Sequence, residues 1–369
     1  MLTALVNGTV YTGNEIIQGK ALLFENDHIV GFVEVSDVPA DTIRIDCQGD
    51  LIAPGLIDLQ IYGGGGRLFS ERPSKESLNA ICAGLLKTGT TGFLVTLATN
   101  SMDIFDNAIE VADSGMSNML GLHFEGPYLN PVRRGAHPEQ YIRKPDINEI
   151  RSLLQRAGTS LRMMTIAPEL FDDAAIEILL NNKVVLSIGH SNANYDEAVR
   201  AFAKGVSCAT HLFNAMPPLH HRAPGLLGAI FETPGIYASI IADGIHVDFK
   251  MVAIAKKLLG ERLFLITDAV EEAHEGLYKH VKHNDRFTLP DGTLSGSNIT
   301  LFKAVQNCVE HIGIPLDEAL RMASTYPARV IASNDRGEIA PGYRADLIIF
   351  SKDFTLKEVI FEGKKYPHT

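Results

Sequence analysis

The chain has 369 residues, of which 46% are hydrophobic and 21% charged, as in an ordinary soluble enzyme with a large core. This length exceeds one average domain, although α/β barrels often continue past about 250 residues as a single unit. The formal net charge of −11 argues against a general nucleic-acid surface, because such a surface needs a basic footprint. An anionic ligand must therefore be held by a local cluster of residues.

The cysteines and the N-terminal segment bear on the compartment. Cys47, Cys82, Cys208 and Cys308 are far apart and form no CxxC pair, which favours buried thiols in a reducing compartment. The first residues lack a basic segment followed by an apolar run, so no signal peptide is predicted. No apolar run approaches the roughly 18 residues of a membrane-spanning helix. The sequence predicts a cytoplasmic protein with neither a membrane nor a nucleic acid as partner.

Both ends of the chain predict short strands separated by turns. In TALVNGTVYTG, the step Asn7-Gly8 lies between β-rich segments and predicts a hairpin. A second hairpin is predicted around Glu25–Asp27, and the C-terminal segments PGYRADLIIFSKDF and LKEVIFEGKKY show the same pattern. Neither end has enough apolar surface to fold alone, and chain termini commonly lie close together. We therefore predict a small β-sandwich domain built from residues 1–50 and 341–369.

Between these ends, short apolar runs alternate with amphipathic segments such as KESLNAICAGLLKTG, DDAAIEILLNNK and YDEAVRAFAKG, which is typical of repeated βα units. The predicted strands are Leu51–Tyr62, Thr91–Ala98, Met119–Glu125, Leu161–Ala167, Val184–His190, Val206–His211, Ile236–Asp243 and Leu263–Asp268. Eight such strands predict a closed (β/α)₈ barrel of the TIM type over residues 51–340, with its active site at the carboxyl ends of the strands. An open doubly wound sheet is the alternative, but no GxGxxG follows an early strand.

Four of the predicted strands end on ionisable side chains. The third run closes on Glu125, the fifth on His190, the sixth on His211 and the eighth on Asp268. One carboxylate and two imidazoles at the same rim make a Glu-His-His metal site with an open position for water, as in catalytic zinc sites. Asp268 then remains as a general base. Each residue alone has a structural alternative, such as a helix cap, but four at different strand ends favour the metal site.

In other polar or glycine-rich segments, the sequence evidence for a functional role is weaker. His123 is a rival ligand, although its apolar neighbours favour a place in the core. His280 and His283 have the spacing of one helix face, so a second metal is conceivable there, but a solvated loop that also contains His274 is favoured. The run Gly63–Gly66 is followed by neither Lys-Ser/Thr nor a clear helix start, so a flexible loop is predicted and not a phosphate cradle.

Ten further motifs occur in order from about residue 50 to the C-terminus: LIAPGLID, GLHFEGPYLN, GAHPEQ, IGHSNANYDEA, ATHLFNAMPPL, IIADGIHVD, LITDA, GTLSGSNIT, DEALRMASTYPARVI and PGYRADLIIF. Together they resemble the N-acetylglucosamine-6-phosphate deacetylase family of the amidohydrolase superfamily. The most specific part is the combination of HLFNAMPP, HFEGPYLN and ADGIHVD. The resemblance implies deacetylation of N-acetyl-D-glucosamine 6-phosphate to D-glucosamine 6-phosphate and acetate.

The resemblance also implies roles for individual residues. The metal ligands would be Glu125, His190 and His211, the acid/base would be Asp268, and His137 would contact the acetamido group. The implied substrate-binding residues are Ala136, His137, Asn214, Ala215, Arg222, Asp243, Gly244, Ile245, His246, Leu294, Ser295 and Gly296. Among them, Arg222 and His246 resemble phosphate-recognising residues, with part of the pocket supplied by the second subunit of a homodimer.

Two segments depart from the pattern of the family. After Asp268, the segment AVEEAHEGLY replaces a small Pro- and Gly-containing segment, which leaves the tolerance for other substrates open. Before Arg222, the chain carries an additional pair, His220 and His221, which would add to phosphate binding or simply be exposed.

The first barrel strand bears on the number of metal ions. Two-metal members of the superfamily carry His-x-His where this chain has Gln60 and Tyr62, and the fourth strand, in MMTIAPEL, offers no lysine to carbamylate. Gln and Tyr do not compete with His for zinc. One divalent ion per chain is therefore predicted, with Zn²⁺ favoured and Fe²⁺, Co²⁺ or Mn²⁺ also compatible with the ligands. Gln60 is expected to hydrogen-bond the water on that ion.

Two other functions compete with this interpretation. Another amidohydrolase activity, such as cyclic-amide hydrolysis or deamination, would use the same barrel, because fold alone does not separate these reactions. The implied phosphate set of Arg222 and His246 favours a sugar phosphate over such substrates. A non-catalytic barrel would have lost a ligand or the base, and the sequence retains all of them.

Overall fold

The structure is a computed structural model and describes residues 1–112, 115–274 and 276–367. The strands are β1 (Leu2–Val6), β2 (Thr9–Tyr11), β3 (Ile16–Ile17), β4 (Lys20–Glu25), β5 (His28–Glu34), β6 (Ile43–Asp46), β7 (Leu51–Pro54), β8 (Leu56–Ile61), β9 (Gly63–Gly64), β10 (Arg67–Leu68), β11 (Thr90–Ala98), β12 (Met119–Glu125), β13 (Leu161–Ile166), β14 (Val185–Ile188), β15 (Cys208–Ala209), β16 (Tyr237–Ile240), β17 (Leu263–Leu265), β18 (Val281–Lys282), β19 (Arg286–Thr288), β20 (Leu294–Ser297), β21 (Leu347–Phe350), β22 (Leu356–Phe361) and β23 (Lys364–Tyr366). The helices are α1 (Lys75–Lys87), α2 (Met102–Ala112), α3 (Ile147–Ala157), α4 (Asp173–Asn181), α5 (Tyr195–Lys204), α6 (Gly225–Glu232), α7 (Phe249–Leu259), α8 (Leu301–Asn307), α9 (Leu316–Ala323) and α10 (Thr325–Val330).

Eight strands form one sheet in the order β8-β11-β12-β13-β14-β15-β16-β17. The two edges of this sheet meet, because Ile61 at the end of β8 forms a parallel bridge with Ala269, shortly after β17. The Asp268 N–H also donates to the Gln60 carbonyl at 2.9 Å. These contacts confirm the predicted (β/α)₈ barrel.

The first predicted barrel strand, Leu51–Tyr62, is in fact two strands in different sheets. β7 pairs with β2 and β21, whereas β8 joins the barrel. Gly55 separates them, and a Cβ atom there would lie 2.0 Å from the hydroxyl oxygen of Thr91, so only glycine allows this close approach. The single strand was predicted because the whole segment is apolar, and it is buried throughout.

Contacts divide the described chain into two compact units. The first comprises residues 1–58, 83–92 and 301–369, and it contains a four-stranded sheet (β5-β4-β1-β6) and a six-stranded sheet (β23-β22-β21-β7-β2-β3). Leu5 and Phe24 from the first sheet share one apolar cluster with Ile52 and Leu347 from the second. This arrangement confirms the predicted β-sandwich built from both chain ends.

One of the two predicted hairpins is wrong. Asn7 and Gly8 separate β1 from β2, but β1 pairs with β4 and β6, and β2 pairs with β3 and β7. Asn7 has a φ of 58°, and the left-handed turn carries the chain from one sheet to the other. The hairpin around Asn26 is confirmed, since β4 pairs antiparallel with β5.

The second compact unit comprises residues 59–82 and 93–300. Contacts group residues 301–340 with the chain ends, so the compact units do not follow the predicted boundaries, and the division into domains 1–50 plus 341–369 and 51–340 stays a prediction. All four cysteines are free and buried, as predicted. Within the described residues, no helix has both the length and the apolar character needed to span a membrane.

Helix α5 separates two strand ends that carry candidate ligands, and its ends are set by local sequence. The Asn194 side chain accepts a hydrogen bond from the Glu197 N–H at 3.0 Å, and the Glu197 carboxylate accepts one from the Asn194 N–H at 2.8 Å. This reciprocal cap fixes the start of the helix. Gly205 ends it in the left-handed region with a φ of 113°.

Candidate metal-dependent active site

A cavity lies where the barrel strands end. The predicted site residues that line it are Glu125, Ala136, His137, His190, His211, Asn214, Ala215, His246, Asp268, Leu294, Ser295 and Gly296. The structure thus brings most of the predicted residues together. Five others, Gln60, Arg222, Asp243, Gly244 and Ile245, are not among the described lining residues.

Glu125, His190 and His211 direct three ligand atoms toward one point. Glu125 Oε1 lies 3.0 Å from His211 Nε2 and 3.4 Å from His190 Nε2, and the two Nε2 atoms are 3.1 Å apart. Ligands bound to one zinc ion at tetrahedral angles are separated by roughly 3.3 Å, given bonds of about 2.0–2.1 Å. The donor set and its spacing therefore fit a divalent metal ion.

His137 joins the same cluster through the other carboxylate oxygen. Its Nε2 lies 3.0 Å from Glu125 Oε2, and its Nδ1 lies 2.9 Å from Thr99 Oγ1. One ligand atom each from Glu125, His137 and His190 lies within 4.8 Å of the others. Glu125 and His190 belong to both possible ligand sets, which differ in whether His211, in contact with Oε1, or His137, in contact with Oε2, is the third ligand. The cluster as a whole can hold a divalent ion.

A backbone contact orients one of the two histidines of the predicted ligand set. His190 Nδ1 donates to the Arg133 carbonyl at 2.8 Å, which leaves the lone pair on Nε2 for a metal. His211 Nδ1 is buried without a hydrogen-bond partner among the described residues. His190, His211 and Asp268 have φ values of 48°, 32° and 54°. Non-glycine residues seldom adopt this left-handed conformation, and it clusters at functional sites.

The cluster is buried, and neighbouring groups shift the pKa values of its members. Burial alone would raise the pKa of the Glu125 carboxyl, but the neighbouring imidazoles of His190 and His137 hold it well below its usual range. Glu125 is therefore an anion. Burial and the carboxylates of Glu125 and Asp268 raise the pKa of Tyr62 well above its usual value, so its hydroxyl remains protonated.

Asp268 is held by the first barrel strand. Gln60 Nε2 donates to Asp268 Oδ1 at 2.8 Å and also lies 3.1 Å from Glu125 Oε1, so the carboxamide links the candidate base to the candidate ligand. On the other side, Ser297 N–H donates to the Asp268 carbonyl at 3.0 Å. A Cβ at Gly296 would lie 3.0 Å from that same carbonyl oxygen and 2.6 Å from Val270, so glycine permits this approach.

His246 forms a second polar region of the cavity. Its Nδ1 lies 2.6 Å from Asp243 Oδ2, while Asp243 Oδ1 accepts hydrogen bonds from the N–H groups of Ile245 and His246. His246 Nε2 is buried without a partner among the described residues. Burial alone would raise the pKa of Asp243, but the hydrogen bond from His246 lowers it. In this structure Asp243 orients His246, and Asp243, Gly244 and Ile245 are not among the described lining residues.

Several secondary predictions are corrected. The solvated-loop prediction is wrong for His280, which is only 4% exposed and lines the cavity. His283 is exposed and bonds Thr288 Oγ1 at 3.0 Å, and no helix contains the pair. The glycine run forms a hairpin of β9 and β10, and Gly66 N–H donates to Glu271 at 3.0 Å, so it is not simply a flexible loop.

The remaining histidine candidates lie apart from the metal cluster. His123 uses both ring nitrogens in the core, at 2.9 Å from the Leu59 carbonyl and 2.8 Å from Thr165 Oγ1. His274 is exposed, and its neighbour Glu275 lies outside the described residues. The rings of His220 and His221 lie 4.4 Å apart between centroids and are tilted by 40°, and both residues are exposed, as is Arg222.

The sequence did not identify some of the cavity residues. Tyr62, Tyr278 and His280 line the cavity, together with Leu68, Ser70, Ala98, Gly135, Ile241 and Val270. The Tyr278 hydroxyl donates to the Thr99 carbonyl at 2.6 Å, which fixes the loop after Asp268 against the end of β11. The only signal in the sequence was the local excess of histidines in this loop, and polar residues in a loop ordinarily indicate solvent exposure.

The amidohydrolase family model matches residues 51–366, and a NagA composite domain matches residues 2–52. The chain belongs to the amidohydrolase family. It is 33% identical to an N-acetylglucosamine-6-phosphate deacetylase of Haemophilus influenzae, over 99% of each chain. An N-acetylgalactosamine-6-phosphate deacetylase of a Shewanella species is also 33% identical, over 86% of this chain and 83% of the relative.

Solved structures of this part of the amidohydrolase family share the whole fold. The N-acetylglucosamine-6-phosphate deacetylase of Pasteurella multocida is 36% identical with a TM-score of 0.95, covering 99% of each chain. An aspartate-to-alanine mutant of the Mycobacterium smegmatis deacetylase, in complex with N-acetyl-D-glucosamine-6-phosphate, is 29% identical with a TM-score of 0.91 and the same coverage. The resemblance that the sequence motifs indicated is confirmed.

Proposed function

We propose that this protein hydrolyses the acetamide of N-acetyl-D-glucosamine 6-phosphate, giving D-glucosamine 6-phosphate and acetate, with one divalent ion per chain. The observation that carries the proposal is the convergence of Glu125 Oε1, His190 Nε2 and His211 Nε2 within 3.0–3.4 Å of one another, in the same cavity as Asp268. Full-length relatives carry that activity in their names. The proposed ligands are Glu125, His190 and His211, and the proposed ion is Zn²⁺.

The chemistry divides between the ion and the side chains around it. A bound divalent ion supplies Lewis acidity, which makes a water acidic and polarises the acetyl carbonyl. The Asp268 carboxylate takes the proton from the attacking water and then gives it to the amine, because an amide nitrogen leaves poorly unless it is protonated. Gln60 Nε2 keeps that carboxylate in place through Oδ1. His137, which lines the cavity, is proposed to exchange its Nε2 hydrogen bond with Glu125 Oε2 for one to the acetyl oxygen as negative charge develops there.

The phosphate is proposed to bind at the His246 end of the cavity, where Nε2 has no partner among the described residues and Asp243 supports Nδ1. Arg222 is proposed to complete this end from the second subunit of a homodimer. Its exposure, and its absence from the described lining of its own cavity, suit a residue that acts across a subunit contact. The guanidinium group of an arginine can donate two parallel hydrogen bonds to phosphate oxygens.

Acetate release tests the proposal. The purified protein is assayed with N-acetylglucosamine 6-phosphate and with unphosphorylated N-acetylglucosamine, before and after treatment with a chelator and after return of Zn²⁺. We expect fast release from the phosphate ester, loss with the chelator and recovery with the metal. No release from either sugar by protein with its metal restored would refute the activity. N-acetylgalactosamine 6-phosphate belongs in the same assay, because a relative of equal identity is named for it.

A further inference from the structure

His280 is a cavity residue to which the proposed reaction gives no role. Its side chain lies between the rings of Tyr278, which stacks at 6.0 Å, and Phe287, which meets it edge-on at 6.4 Å. Its Nδ1 lies 2.9 Å from Ser295 Oγ, and Ser295 also lines the cavity. Among the described residues, Nε2 has no hydrogen-bond partner, and it is not one of the fully buried atoms that lack one, so a ligand or water in the cavity can reach it.

The cavity holds a second histidine outside the metal cluster, and the partners of the two histidines differ. His246 Nδ1 lies 2.6 Å from the Asp243 carboxylate, which offsets positive charge on a ring that contacts an anion. His280 Nδ1 faces a neutral hydroxyl, and no described carboxylate forms an ion pair with His280. Burial lowers the pKa of His280 to about 4, so this imidazole is neutral near pH 7. A neutral imidazole suits a hydroxyl group better than a phosphate.

We propose that His280, oriented by Ser295, is a specificity-determining residue that hydrogen-bonds a ring hydroxyl of the amino sugar through Nε2. The inference rests on the proposed function, whose substrate is a sugar with free ring hydroxyls. It matters because the glucosamine and galactosamine phosphates named for relatives of equal identity differ in the configuration of one ring hydroxyl. A site built to bond a hydroxyl discriminates strongly against an analogue that lacks it.

A chemical double-mutant cycle tests this inference. His280→Phe keeps a ring of similar size and removes both nitrogens, and His283→Phe makes the same change on an exposed histidine of the same loop as the matched control. Each protein is assayed for kcat/KM on N-acetylglucosamine 6-phosphate, its 4-epimer, and its 3-deoxy and 4-deoxy analogues. Metal content and thermal unfolding verify that each variant is folded and loaded.

We expect His280→Phe to lose about tenfold or more on the natural substrate, as for one hydrogen bond to a buried group, and His283→Phe to match the wild type. For one of the two deoxy analogues, the kcat/KM of the wild type should fall by a similar factor. The kcat/KM of His280→Phe should be the same on that analogue as on the natural substrate. Ser295→Ala should give the same pattern with a smaller loss. If the losses of kcat/KM from His280→Phe and from removing a hydroxyl multiply on both deoxy analogues, the inference is wrong. It is also wrong if His280→Phe has the kcat/KM of the wild type. In either case the proposed function stands. A wild type inactive on all four sugars would overturn both.

Discussion

The hydroxyl of Tyr62 donates a hydrogen bond to Oε2 of Glu125. Because its raised pKa keeps the hydroxyl protonated, Tyr62 acts as a donor, and it takes up the carboxylate oxygen that does not face His190 and His211. The first barrel strand therefore supplies a group that orients the candidate ligand, where related two-metal sites would have a ligand of their own.

We expect Tyr62→Phe to weaken metal binding by about 10–100-fold, because groups that orient a ligand commonly contribute that much to affinity. Competition for Zn²⁺ with a chromophoric chelator measures the change. Tyr278→Phe is the control, since it removes another buried phenol hydroxyl from the same cavity, one that bonds the Thr99 carbonyl and not Glu125. Equal affinity in Tyr62→Phe and wild type would show that the hydrogen bond has no influence on the ion.

Asp268→Asn should lower turnover by about 10²–10⁴-fold, because the carboxamide keeps the shape of the side chain and cannot accept a proton. Metal content should be unchanged, since Asp268 is outside the proposed ligand set. The measurement is kcat for acetate release from protein of known metal content. Asp248→Asn, the same change at the start of α7, should leave kcat unaltered. Near-normal turnover in metal-loaded Asp268→Asn would remove Asp268 from the mechanism.

The sequence predicted the barrel and its metal residues because of how parallel strands are buried. Strands covered on both faces are nearly continuous apolar runs, so a polar residue that ends such a run is easily recognised. Glu125 is the last residue of β12, as predicted. His190, His211 and Asp268 instead lie two or three residues beyond β14, β15 and β17, in left-handed conformations that no apolar pattern encodes.

The loops of the site could not be predicted in the same way. His280 is buried because the Ala273 N–H bonds its carbonyl at 3.1 Å and because Tyr278 and Phe287 enclose its ring, and both contacts depend on the tertiary structure. The hairpin predicted at Asn7-Gly8 was wrong for a related reason. A left-handed turn allows a hairpin and equally allows a step between the two sheets of a sandwich, and the pairing of β1 with β4 decided the outcome.

His280 should also give the protein a specific pH dependence of stability. Its pKa is about 4 in the folded chain and about 6.5 in an unfolded one, so between these values only the unfolded state binds the proton. The contribution of His280 to the free energy of unfolding is therefore fully present above about pH 6.5. It decreases as the pH falls toward 4, by at most about 3 kcal/mol. Urea unfolding of wild type and His280→Gln, at about pH 7 and about pH 4.5, should show a smaller loss in the variant. His283→Gln should retain the wild-type loss, and an identical loss in all three proteins would contradict the prediction.

Arg222→Ala should reduce kcat/KM for the phosphorylated sugar by about 10–100-fold, as for loss of a charged hydrogen bond, and leave the slow reaction of the neutral sugar unchanged. Arg200→Ala on α5 controls for the loss of one positive charge. If Arg222 acts across subunits, mixing Arg222→Ala with Asp268→Asn should restore part of the activity, because one site in each mixed dimer is then complete. Equal losses on both sugars would make Arg222 a structural residue.

The number of metal ions follows from the donors on the first barrel strand. A second ion beside the first would need ligands at positions 60 and 62, and there the chain presents a carboxamide N–H₂ and a protonated phenol, both directed at Glu125. Gln60 Nε2 also bonds Asp268. These donors occupy the carboxylate that would have to bridge two ions, and they offer no lone pair comparable to that of a histidine.

We therefore expect protein purified without added metal, then dialysed against trace Zn²⁺, to contain about one ion per chain, with three protein ligands and an open water position. Elemental analysis against protein concentration gives the ratio. Glu125→Ala should lose the ion, whereas His283→Ala, which removes an exposed histidine outside the cluster, should retain it. Two ions per chain, both required for turnover and both lost in Glu125→Ala, would show that Gln60 and Tyr62 do not limit the site to one ion.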